Sequence, residues 1–68
     1  MSLSRLRLLR DELIALRPAL DDATAILLDV LLSDVDRVLA GEADELAAVR
    51  MLRRLEPLRD VLAKFASS

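Results

Sequence analysis

Residues 18–40 read PALDDATAILLDVLLSDVDRVLA, and where the apolar side chains fall within them decides the fold. Projected at about 100° per residue, Asp22, Asp29, Ser33 and Asp36 share one narrow polar stripe. Ala23, Leu27, Leu28, Val30, Leu31, Leu32, Val35, Val38 and Leu39 fill the rest, well over half of the circumference. A surface helix needs an apolar stripe only slightly wider than about 100°. A helix this apolar must be covered on two or more sides, by neighbours in its own chain or by another molecule.

Working outward, Gly41 follows this segment and precedes Glu42, Asp44 and Glu45. Glycine suits the left-handed position after a helix, and acids suit the first turn of the next one, so the chain is expected to reverse near residues 40–42. Upstream, Leu6, Leu9, Leu13, Leu16 and Leu20 recur at alternating spacings of three and four, a heptad seam. Pro18 before Asp21 and Asp22 reads as a helix start, although the apolar phase carried through Ala23 and Leu27 also fits a kinked continuous helix. Downstream, Ala47, Ala48, Met51, Leu55, Leu58, Leu62 and Phe65 form one face, with Pro57 outward beside Arg53, Asp60 and Lys64. The expectation is an all-α fold over residues 1–68 as a single domain, either a helical hairpin or a three-helix unit. Helices fall at about 3–17, 18–40 and 42–66, with a kink near Pro57.

Size makes the association state part of the fold problem. A 68-residue chain buries a modest core and usually needs a staple. There is no cysteine and no histidine, which excludes disulfides and thiolate zinc sites and removes the commonest general base. Oligomerisation is the staple that remains, so the helices are expected to complete a bundle as a homo-oligomer. A homodimer is the first expectation and a partner protein's helix the second. The association surface is assigned to Leu27, Leu28, Leu31, Leu32 and Val35 on the middle helix, with Leu9, Leu13 and Leu16 beside them. Leu31→Asp is expected to dissociate or unfold the protein, and Asp29→Asn to be nearly silent. Asp34 and Arg59 fall on otherwise apolar faces and are candidates for register-setting charges, with rim positions that reach water as the alternative.

The formal net charge of −2 conceals a segregated layout. Arg5, Arg7, Arg10 and Arg17 dominate residues 1–20, and eight acids face only Arg37 in residues 21–48. Arg50, Arg53, Arg54, Arg59 and Lys64 outnumber Glu56 and Asp60 in residues 49–68. An acidic helix between two basic ones favours one arrangement of neighbours, mainly by selecting register.

No motif for phosphate, calcium or metalloprotease chemistry is present, and no catalytic residue, cofactor or metal is expected. The nearest thing to a cation site is Asp29, Ser33 and Asp36 on one face with Asp22 two turns earlier; a solvated or Arg-paired stripe explains it better. The Arg50, Arg53 and Arg54 cluster supports an alternative, a dimeric nucleic-acid-linked regulator or antitoxin-like protein. The acidic balance and the single aromatic residue, Phe65, argue against nucleic-acid contact. The longest apolar stretch, Ala25 to Leu32, is broken by Asp29, so no membrane span is expected. The arginines near the N-terminus break any export signal, which points to the cytoplasm. The use of arginine over lysine fits a GC-rich bacterial gene. The function expected is a non-enzymatic interaction or oligomerisation module, an adaptor or small regulatory subunit.

Overall fold

A computed structural model describes residues 2–42 and 45–67, with nothing stated for the Glu42 side chain. Helix α1 covers Ser2–Leu16, α2 covers Asp22–Arg37 and α3 covers Glu45–Ser67. No strand occurs among the described residues. α3 sets the length of the molecule: its 23 residues, at about 1.5 Å each, account for the 35 Å long axis.

Pro18 separates α1 from α2, and the separation has a local cause. Proline lacks the N–H that would continue the α1 ladder, and Arg17–Ala19 tighten into a single 3₁₀ turn closed by the Leu20 amide on the Arg17 carbonyl at 3.1 Å. Leu20 is then extended (φ −97°, ψ 155°). α2 starts at Asp22 rather than at Pro18, because Asp21 is the N-cap: its Oδ1 accepts from the Thr24 amide at 3.1 Å. A capping carboxylate satisfies an amide that would otherwise lack a partner, which an arginine at position 17 could not do.

Beyond α2 the chain widens into a turn at Val38–Glu42, where Gly41 takes φ 88°, ψ 10°. This left-handed geometry ends the helical path, as glycine after a helix often does. The expected helix start at residue 42 borders residues 43 and 44, which lie outside the described residues; α3 is described from Glu45. Pro57 lies within α3, exposed, and the helix is one element across it.

Polar contacts give the direction of each helix. The Ser2 amide donates to Glu45 Oε1 at 3.0 Å, Arg5 Nη2 lies 3.5 Å from Glu56 Oε2, and Arg59 pairs with Glu12, so α1 and α3 run parallel. Arg10 reaches Asp36 and Arg17 reaches Asp29, so α2 runs antiparallel to α1. α1 and α3 are the closest-packed pair. The core between the helices takes Leu6, Leu9 and Leu13 from α1, Ala25, Leu28 and Val35 from α2, Val38 from the turn, and Ala48, Leu52, Leu55 and Leu62 from α3. Burying one such leucine contributes about 1.5–3 kcal/mol, so this core is the main source of stability.

Candidate association surface

The structure divides the eight candidate surface residues. Leu9, Leu13, Leu28 and Val35 lie in the chain's own core, and Leu13 and Val35 are fully enclosed. They cannot meet a partner while the monomer stays folded, which corrects their assignment to an association surface. The physical reason is that the α1 seam is covered by α3, and the inner edge of α2 faces the same core. Leu16, Leu31 and Leu32 are half-buried and pack against that core. Leu27 alone of the eight stands outside, 67% exposed.

Around Leu27 the chain leaves more apolar surface than the assignment included. Ile26 and Val30 on α2 are 61% and 59% exposed, and Val61 and Phe65 on α3 are also exposed. Between α2 and α3 runs an open groove of about 340 Å³, lined by Thr24, Leu27, Leu28, Val30 and Leu31 on one wall and by Leu58 and Leu62 on the other. Thr24 is the only polar residue in this lining. Val30 and Phe65 were visible in the sequence as members of apolar faces; nothing in the spacing showed that no neighbour would cover them.

Two further hollows fix the register of the groove walls. Val38 shares one with Leu46, Ala47, Arg50, Met51 and Arg54, and Leu20, Asp21 and Thr24 share another with Phe65. The walls are antiparallel, so Arg54 stands beyond one end of the groove and Phe65 beyond the other. Arg50, Arg53 and Arg54 are exposed and make no ion pair among the described residues.

Asp34 and Arg59 do not form a buried pair. Asp34 is half-buried and lies 3.9 Å from Arg37 Nη1, one helical turn away. Arg59 bridges Glu12 and Asp60, which favours its charged form. No polar or charged side chain is buried among the described residues. Arg59 thus ties α1 to α3 at the rim, and Asp34 pairs within its own helix.

The acidic stripe of α2 turns toward α1. Arg17 holds Asp29, and its hydrogen bond and charge keep the Asp29 carboxyl below its ordinary range. Arg10 Nε lies 2.8 Å from Asp36 Oδ1, but the geometry is that of a charge pair rather than a hydrogen bond. No group of three or more potential metal ligands occurs among the described residues. No helix among them is long and apolar enough to cross a membrane. No protein-family model, curated protein or solved structure matches the chain, so this surface is read from its own residues.

Proposed function

We propose that the chain is a non-enzymatic helical association module, docking through the outer strip of α2 and the facing slope of α3. Self-assembly is the first form of this reading and a partner protein's helix the second. The observation that carries it is the exposed apolar ridge of Ile26, Leu27 and Val30 beside an open groove whose lining is almost wholly apolar. Contiguous apolar surface of this kind marks interaction sites. A helix-in-groove contact needs such a ridge and cleft and little else. Asp29 and Asp36, the carboxylates best placed for a hard cation, are engaged by Arg17 and Arg10, which supports a non-catalytic reading.

Leu27→Asp tests the assignment cleanly, since Leu27 is exposed and its replacement leaves the core intact. Leu31, half-buried against the core, is a poorer probe because Leu31→Asp also threatens folding. Sedimentation velocity is expected to show association in the wild type and its loss in Leu27→Asp, with circular dichroism unchanged. Unaltered association in Leu27→Asp would sink the assignment.

A second reading has its own observation: Arg50, Arg53 and Arg54 are exposed cations without ion pairs among the described residues, as phosphate contacts require. It expects DNA binding that weakens steeply with salt and disappears when all three are replaced by glutamine. Fluorescence anisotropy with labelled duplexes at low salt decides it; no binding there ends this reading.

A further inference from the structure

We propose that the α2/α3 groove receives an acidic amphipathic helix of another protein, with its apolar stripe in the groove and its carboxylates on Arg50 and Arg54. The proposal rests on the docking face assigned above and names the chemistry of its partner.

The groove has a cationic continuation. Beyond it lies the hollow of about 360 Å³ lined by Val38, Leu46, Ala47 and Met51, and Arg50 and Arg54 complete that lining. Along α3 the hollow and the groove follow one another from Leu46 to Leu62, a run of about 24 Å that about 16 residues of a docked helix would cover. Charge is sorted around α3 in the same sense. At about 100° per residue, Leu46, Arg50, Arg53, Arg54, Val61 and Lys64 fall within one arc of about 100°, and all six are exposed. None of the described acids of α3 falls in that arc: Glu45 and Glu56 meet Ser2 and Arg5 of α1, and Asp60 pairs with Arg59. The cations of the arc make no ion pair among the described residues.

The other described acids are engaged within the chain. Asp29, Asp34 and Asp36 pair with Arg17, Arg37 and Arg10, and Asp11 and Glu12 with Arg10 and Arg59. Asp21 caps α2, and Asp22 shares a hollow with Arg17. A second copy can cover the apolar ridge, but it brings the same cations and, among the described residues, no spare carboxylate to meet them. An acidic amphipathic helix supplies both parts, apolar anchors for the groove and carboxylates that match the guanidinium fork. It is therefore the tighter occupant, and self-association through the same face is the weaker one.

The probes are a pair of fluorescein-labelled helical peptides of about 16 residues with the same leucine stripe. One carries glutamate along the edges of the stripe and the other glutamine. Fluorescence anisotropy is expected to show the glutamate peptide binding about tenfold more tightly, with the gap closing as salt is raised. Arg54→Glu is expected to weaken the glutamate peptide about fivefold. Arg7→Glu makes the same change in charge at an exposed, unpaired cation on α1, and is expected to weaken it about twofold or less. Equal affinity for the two peptides, or equal effects of the two variants, would overturn the acidic partner. Tighter binding of a labelled DNA duplex than of the glutamate peptide would also overturn it, giving the cations to a nucleic acid. Light scattering that finds a wild-type assembly excluding the glutamate peptide at saturation would make a second copy the occupant and overturn the proposal. Peptide binding indifferent to Leu27→Asp would instead remove the docking face itself.

Discussion

Arg17, at the start of the 3₁₀ turn after α1, and Asp29 of α2 meet in a bidentate contact, Nε to Oδ1 at 2.8 Å and Nη2 to Oδ2 at 2.9 Å. The residues are twelve positions apart, and the pair bridges the last turn before the Pro18 break to the second turn of α2. A fork of this geometry fixes orientation as well as charge. It lowers the Asp29 pKa and raises that of Arg17.

That shift has a sign in pH. Asp29, Asp21 and Glu45 are all held below their ordinary pKa, Asp29 by Arg17, Asp21 by hydrogen bonds from Thr24, and Glu45 by hydrogen bonds from Ser2. A depressed carboxylate contributes stability above its unfolded pKa, and the contribution is lost as pH falls through the folded one. With no histidine in the chain, side chains give almost no titration between about pH 6 and 8. The thermal midpoint is expected to be flat across that window and to fall below about pH 4. Asp29→Asn is expected to lower the neutral-pH midpoint slightly and to shrink the acid-side fall, since both members are exposed and screened by salt. Melting curves from pH 2 to 8 check this; a midpoint that rises toward pH 3 would contradict it.

Gly41 isolates the energetic value of a left-handed backbone. A Cβ built there meets no atom within 4 Å, so substitution brings no clash, only the strain of φ 88°. Gly41→Ala is expected to cost about 1–2 kcal/mol, and Gly41→Asn less, because asparagine tolerates this region better. Urea denaturation of the three proteins should give the order Gly, Asn, Ala. Equal stability for the alanine variant would mean that the turn relaxes to another path.

These elements were legible to different depths. The reversal at Gly41 could be read directly, because few residues adopt that backbone conformation cheaply. Pro18 could not be resolved the same way: proline at a helix start and proline at a kink both leave the apolar phase intact. The deciding group was Asp21, whose cap on Thr24 places the start four residues later. The seam through Leu9 and Leu13 was correctly apolar, but a period identifies a face and not what covers it. α3 covers that seam, so the burial expected from a partner is supplied within the chain. For the same reason the exposed ridge at Ile26 and Val30 could not be told from core. Asp34 and Arg59 stayed open between register-setting and rim positions because projection on an isolated helix ignores the neighbouring helices, where Arg59 meets Glu12.

Leu13 and Leu8 separate core from surface on one helix. Leu13 is fully buried and Leu8 is 64% exposed. Leu13→Ala is expected to cost about 2–5 kcal/mol, and Leu8→Ala about 0.5 kcal/mol or less. A core this small rarely supplies more than about 3–5 kcal/mol in total, so Leu13→Ala should be largely unfolded when monomeric. Chemical denaturation followed by circular dichroism gives both values. Similar costs at the two positions would mean that the α1 seam is not the buried face.

Pro57 offers the opposite kind of test, a stabilising one. It sits exposed inside α3, where the amide of any other residue would bond the Arg53 carbonyl. The chain therefore forgoes one hydrogen bond and accepts a ring crowding the preceding turn. The flanking core residues Leu55 and Leu62 stay buried on either side, so packing holds the helix together across the proline. Pro57→Ala restores the bond without touching the core, and is expected to raise stability by about 1–3 kcal/mol, below or at the full interior penalty because the helix has already adapted. The increase should appear in the urea midpoint with the slope unchanged, since the same surface is exposed on unfolding. A loss of stability instead would show that the packing of Leu58 and Leu62 is fitted to the helix with proline in it.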